Sequence, residues 1–250
     1  IDIQAASIIV ATGYGTFDAR GKAQLRYLTI PDVITSLEFE RMINASGPTG
    51  GELRRLSNGK PPRSIAFVQC VGSRDIAAGR PYCSGVCCMY AMKNAMLIRE
   101  KNPEIEVTVF YNDIRAYGKG YEEYYERAKS LGIRFVRGFP GEVLEENDHL
   151  TMVAENTETC EVETVHPDLV VLSVGLEPAH GAEDIGRMLG IPQEETGFFG
   201  VADQKVGPVL TVKPGVYVAG TATAPRDIPD SVAMGGAAAM RAYLDTLRAG

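Results

Sequence analysis

The sequence predicts an α/β protein in which one strand–helix pattern is nested inside another. Three observations carry this reading. Between residues 64 and 138, apolar runs and helical-period segments alternate as strand, helix, strand, helix, strand, the signature of a parallel sheet with crossover helices. Next come EVLEE, HLTMVAE and ETCEVETVHPD, alternating segments that read as an antiparallel β-meander. On either side of this block, short apolar strands run out at Gly13 and at Gly220.

In chain order, QAASIIVATGYGTFD gives a strand over 7–11 that runs into Thr12 and Gly13. Gly13 and Gly15 let the backbone turn tightly there. LEFERMI (37–43) has helical spacing, and ASGPTGGELRRLSNGKPP is a loop closing on Pro61 and Pro62, the best domain boundary in the chain. SIAFVQC (64–70) is a buried strand, and VCCMYAMKNAMLIREK (86–101) a helix with Ser84 as its N-cap. IEVTVFY (105–111) is a strand, GYEEYYERAKSLG (120–132) a helix stopped by Gly132, and IRFVRG (133–138) a third strand. After the meander, LVVLSVGLEP (169–178) is again a buried strand. VYVAGTAT (216–223) is a strand ending at Gly220, and DSVAMGGAAAMRAYLDTLRAG a closing helix capped by Asp230 or Ser231. The expected divisions are 1–62, 63–176 and 177–250.

A chain of 250 residues with 45% hydrophobic content can bury a substantial core. No run approaches the roughly twenty apolar residues of a membrane span, and no secretion signal is visible. The net charge of −7, with no clustering of basic residues, argues against nucleic acid as a partner. An odd number of cysteines, no secretion signal and a metal-like cysteine spacing together point to a reducing, intracellular setting, taken as cytoplasmic. Ile1 opens directly into a strand without an initiator Met, as a fragment would.

The chemistry is concentrated in four cysteines, Cys70, Cys83, Cys87 and Cys88, spaced Cys-x12-Cys-x3-Cys-Cys. Thiolates gathered on a turn and a helix start suit a soft metal centre, and iron–sulfur clusters take four of them. The adjacent pair disfavours a simple disulfide, because neighbouring cysteines bridge only with strained geometry. Zinc and a redox-active Cys83/Cys87 dithiol are the competing readings. Cys160 lies apart in the segment ETCEVETV and reads as a core cysteine.

The order of the motifs resembles that of two-dinucleotide-binding-domain flavoproteins of the thioredoxin-reductase-like fold. ATG at 11–13 resembles their strand-end motif, SVGLEP at 173–178 their return point, and VYVAGTAT their second FAD motif. The resemblance implies FAD bound by Thr12, Gly13, Gly220, Thr221, Asp230, Ser231 and Val232, with a helix N-terminus meeting the pyrophosphate. The part of the FAD domain carrying the GxGxxG fingerprint would precede Ile1. Where the nested Rossmann-like domain should carry its own fingerprint it has CVGSRD. Without the glycines a nicotinamide dinucleotide cannot approach the backbone closely.

FVQCVGSRD, YCSGVCCMYAMK, DIRAYGKGYEE, GFFGVADQKVGPV and GTATAPRDIPDSVAMGGAAA resemble the A-subunit family of heterodisulfide reductase across nearly the whole chain. That resemblance implies a [4Fe–4S] cluster on Cys70, Cys83, Cys87 and Cys88 beside the FAD. It implies that Lys93 and Glu40 lie near the isoalloxazine and adjust its redox states. It further implies flavin-based electron bifurcation in an anaerobe, with heterodisulfide-reductase-type subunits and ferredoxin-like carriers as partners. The similar A component of quinone-interacting membrane-bound oxidoreductase is not separated by these motifs. Readings from other classes are an NAD(P)H-dependent disulfide reductase, which CVGSRD disfavours, and a zinc-stabilised assembly domain without enzymatic activity.

Overall fold

The computed structural model describes residues 3–249, which form two compact units. Along the chain run β1 (Ile8–Val10), β2 (Tyr14–Thr16), β3 (Val33–Thr35), α1 (Ser36–Ile43), β4 (Ser64–Val71), α2 (Cys87–Lys101), β5 (Glu106–Tyr111), α3 (Tyr121–Ser130), β6 (Arg134–Arg137), β7 (Pro140–Glu146), β8 (His149–Asn156), β9 (Glu161–Val165), β10 (Leu169–Val174), β11 (Leu176–Pro178), α4 (Ala182–Leu189), β12 (Val216–Val218) and α5 (Ile228–Ala249).

The larger unit comprises 17–81 and 86–175. Its parallel sheet has the order β3-β10-β4-β5-β6. Strand alternation sends Ile65, Phe67, Val107, Val109, Leu169 and Val171 to one face, where they pack against buried residues of α1, α2 and α3. Ala66, Val68, Phe110, Val170 and Leu172 go to the other face, against Val143, Leu150, Met152 and Ala154 of the β7-β8-β9 meander. Being covered on both sides, β10 is buried at all six positions. Each large side chain so enclosed contributes about 1.5–3 kcal/mol. At the strand N-termini Arg55 bridges buried Asp32 (2.9 Å) and Asp168 (3.4 Å), while Ser57 donates to Asp32. These contacts tie the 45–62 loop to the sheet. That loop therefore lies inside the unit, which begins at Phe17.

The smaller unit comprises 82–85, 176–249 and the described part of 1–16. It holds the parallel pair β1-β12, the antiparallel pair β2-β11, α4 and α5. Val10, Val216 and Val218 pack with Ile191, Phe199 and Ala182. On the other side Tyr217 and Ala219 pack with Met234 and Ala238 of α5, and Tyr217 donates to Asp245.

Several boundaries differ from the sequence reading. Ser84 does not cap α2: its hydroxyl is buried and accepts from Leu176 N (2.8 Å), so the helix starts at Cys87 behind uncapped Val86. Neither Asp230 nor Ser231 caps α5. The helix begins at Ile228, and Asp227 accepts from Asp230 N (2.9 Å) instead. The predicted strand over 169–178 breaks into β10 and β11 at Gly175, where an added Cβ would lie 2.6 Å from the Gly72 carbonyl oxygen. The strand over 216–223 stops at Val218 and continues as a 3-10 turn. Cys160 is no core residue: it is exposed, with φ 57°, in the turn between β8 and β9. Ile1 and Gly250, where the reading opened a strand and ended a helix, lie outside the described residues.

Candidate metal centre and flavin cradle

Three of the four motif cysteines meet at the carboxyl end of the parallel sheet. Cys70 lies near the end of β4, and Cys87 and Cys88 open α2. Cys70 reaches them because β4 bulges. Val68 pairs with Leu172 and Val71 with Val174, three steps on one strand against two on the other. A bulge of this kind re-aims a side chain, and here Cys70 takes φ 57°. The turn then curls through Gly72 (φ 71°) and Arg74 (φ 57°). A Cβ on Gly72 would stand 2.0 Å from the Phe17 ring. Only glycine fits there.

The Cys87 thiol hydrogen-bonds with both Cys70 and Cys88. These bonds, with near-complete burial, push Cys87 well above the ordinary thiol range. Cys70 falls below its usual value because Cys87 donates to it, against the opposing effect of burial. Cys88 falls to about 7, through the bond from Cys87 and then, against burial, through the Arg115 backbone N–H and the charges of Arg115 and Arg74. Its own thiol points to the Asp113 carbonyl at 3.7 Å. Arg74 (2.9 Å), Arg137 (3.5 Å) and Arg115 (3.8 Å) surround the single Asp113 carboxylate, which leaves a positive excess beside the thiols. The first-turn N–H groups of α2 lie outside the helical ladder and add to it.

Cys83 belongs to the smaller unit, on the segment 82–85. Tyr82 donates to Leu176 O (3.1 Å) and stacks edge-on with Phe198, and Gly85 N donates to Cys83 Sγ (3.3 Å). Among the described residues, no three His, Cys, Asp or Glu side chains form a ready metal shell. The donor chemistry nevertheless fits a soft metal. Two thiols hydrogen-bonded to a third, with arginine charge nearby, form an environment that favours thiolate.

Lys93 of α2 and Glu40 of α1 form an ion pair, with side chains 40% and 43% exposed. Sequence reasoning missed Tyr90, one helical turn from Cys87. It is buried deeply enough to hold its phenol well above the usual range, accepts from Ser36 and donates to Val174 O, each at 3.2 Å. No spacing rule marks such a residue. A cavity of about 680 Å³, lined by Ile43, Leu53, Leu97 and Ile105, holds none of the motif cysteines. A smaller one of about 360 Å³ is lined by Cys70, Lys22, Arg74, Asn112 and Phe139.

In the smaller unit the seven cofactor candidates assemble at one end of β1-β12. Val10 pairs with Val218, and Ala219 N donates to Val10 O (3.0 Å), so Thr12 and Gly13 leave one strand beside Gly220 and Thr221 leaving the other. Gly13 has φ 75° with open space where a Cβ would stand. Gly220 (φ 64°) abuts Ser231, whose Cβ lies 3.6 Å from the ideal Cβ position. Asp230, Ser231 and Val232 stand in the first turn of α5. Two glycine-turned strand ends beside a helix start fit the phosphate and ribityl portion of a dinucleotide.

A parallel-sheet unit with a meander, inserted in the chain of a second unit with two glycine-turned strand ends, defines the thioredoxin-reductase-like fold. The solved structures agree. T. acidophilum thioredoxin reductase superimposes with a TM-score of 0.60 at 16% identity, over 96% of this chain and 66% of that one. Lactococcus lactis thioredoxin reductase (FR conformation) gives 0.60 at 20%, over 97% and 66%. No family model matches the sequence. Among curated proteins, the A component of H(2):CoB-CoM heterodisulfide,ferredoxin reductase from Methanothermobacter marburgensis is 49% identical over 99% of this chain and 38% of its own length. The second iron-sulfur A component of CoB–CoM heterodisulfide reductase from Methanopyrus kandleri is 51% identical over 97% and 37%. The iron-sulfur A component of the Methanocaldococcus jannaschii enzyme is 46% identical over 96% and 37%. Over nearly its whole length the chain is similar to the A subunits of heterodisulfide reductase, and it spans less than two-fifths of the length of these relatives.

Proposed function

We propose that this chain is the redox core of a heterodisulfide-reductase-type complex, holding FAD and one [4Fe–4S] cluster and serving flavin-based electron bifurcation. The observation that carries the reading is the convergence of Cys70, Cys87 and Cys88, achieved by a strand bulge, at the sheet end where the nested unit lacks a dinucleotide fingerprint. Cys83 is the proposed fourth ligand. Thr12, Gly13, Gly220, Thr221, Asp230, Ser231 and Val232 would hold the flavin. When bound, FAD exchanges electrons in pairs or singly and the cluster singly, which lets one polypeptide join two-electron and one-electron partners.

The protein's own residues set the conditions for that exchange. The arginines around Asp113 and the α2 N–H groups would offset the negative charge of the Cys70, Cys87 and Cys88 thiolates. By the family resemblance, the Lys93 ammonium would lie near the flavin ring and would favour its negatively charged reduced forms, while Glu40 would compete for the same ammonium. Partner subunits and ferredoxin-like carriers, in an anaerobe's cytoplasm, complete the reading. It is supported by relatives whose names specify heterodisulfide, ferredoxin and iron-sulfur.

The test is iron and sulfide analysis of the full-length protein, purified anaerobically, with an EPR spectrum after reduction. Four irons per centre, with loss of the signal in Cys87→Ala and Cys88→Ala, is the expected result. Zinc without sulfide would replace the cluster with a structural metal site. Absence of any metal would refute the centre.

A further inference from the structure

The bulge in β4 does more than turn Cys70. Val68, Val71, Leu172 and Val174 all pack on the meander face. Gln69 and Cys70, lying between Val68 and Val71, therefore share one slot on the opposite face, facing Ser173 across the ladder. That face is covered by α2, which carries Cys87 and Cys88 in its first turn. Gln69 is 1% exposed, and neither Oε1 nor Nε2 has a hydrogen-bond partner among the described residues. A buried polar group left this way costs about 1–3 kcal/mol. Leucine would fill a similar volume without that penalty.

We propose that Gln69 is a positioning residue of the metal centre, its Nε2–H donating to a sulfur of that centre from the strand side. The inference rests on the reading of the cysteines as metal ligands. Sulfur in such a centre gains negative charge on reduction, so an N–H donor stabilises the reduced state more than the oxidised one and raises the potential. The α2 N–H groups approach from the helix side, and Gln69 supplies the donor opposite them. A neutral amide does this without the desolvation penalty of a buried lysine. Asn94 is equally buried and unpartnered. It lies seven residues beyond Cys87, about 10 Å along the helix axis, which is too deep for sulfur contact.

The test uses the full-length protein purified anaerobically, as wild type, Gln69→Leu and Gln69→Met, with EPR-monitored redox titration. Both variants remove the donor, and the methionine keeps the unbranched side-chain length. At the wild-type midpoint potential, the oxidised-to-reduced ratio of the centre is expected to rise about tenfold in each, or 59 mV for one electron. A wild-type potential in either iron-loaded variant overturns the proposal. Wild-type protein labelled with ¹⁵N in the glutamine side chains gives an independent reading. ENDOR coupling of a side-chain ¹⁵N to the centre, with an exchangeable proton, supports the contact even if a variant fails to take up iron. Absence of that coupling overturns it. Wild-type protein without iron refutes the ligand reading itself, a result distinct from an unchanged potential.

Discussion

Lys93 and Glu40, which lie far apart in sequence, meet as an ion pair joining α2 to α1. Both side chains are about two-fifths exposed, and pairs so solvated add at most about 1 kcal/mol to stability. Lys93→Ala and Glu40→Gln in the full-length protein should therefore leave the denaturation midpoint nearly unchanged. The FAD potential should move in opposite directions, down when the cation is removed and up when its competitor is neutralised. A shift of the same sign in both variants would remove the pair from the flavin's environment.

The cysteines should divide by environment. Cys160 is exposed on a hairpin turn, whereas Cys87 is buried behind two other thiols. In metal-free protein, mass spectrometry after brief maleimide treatment should find Cys160 modified first and Cys87 last. Cys160→Ser should leave the iron content unchanged, and iron loss in that variant would make Cys160 a ligand.

Gly72 should be the least replaceable glycine of the cysteine turn. An added methyl meets the Phe17 ring at 2.0 Å and forces φ 71° on alanine. Gly72→Ala should lose more than about 2 kcal/mol in urea denaturation. Gly79→Ala is the control, with φ 68° but open space around its Cβ position; it should lose only about 1 kcal/mol. Equal losses would show that backbone strain alone sets the effect.

The Arg55 bridge should act at a distance from the redox chemistry. Arg55→Ala strands the buried Asp32 carboxylate and releases Asp168. The expected loss is about 3 kcal/mol, read as a lower urea midpoint with unchanged iron content in the folded protein.

What the sequence made legible follows the range of the interactions involved. The buried strands, α2, α3 and the meander are local hydrophobic patterns, and they form close to where the patterns place them. Of the four cysteines that the spacing singled out, Cys70, Cys87 and Cys88 meet, and Cys83 belongs to the other unit. The errors are residues whose roles depend on remote partners. Ser84 has the chemistry of a cap, but Leu176 claims its hydroxyl. Cys160 sits in an alternating segment, yet a left-handed turn takes it out of the ladder. Three-residue β3 carries too little pattern to be read, and exists because β10 pairs with it. The bulge behind Cys70 and Gln69 has no local signature, since it is defined only by counting β4 against β10.

β10 lies between β3 and β4 although it is synthesised after both, and after β5 and β6 as well. During translation, the facing edges of β3 and β4 wait for a partner until Leu169–Val174 leaves the ribosome. The middle of the sheet is thus the last part that can close, an order that slows folding and prolongs the exposure of apolar strands. Nascent chains arrested before Leu169 should be the ones that holdase chaperones retain, and the end of β4 at Cys70 stays open on that side until the closure.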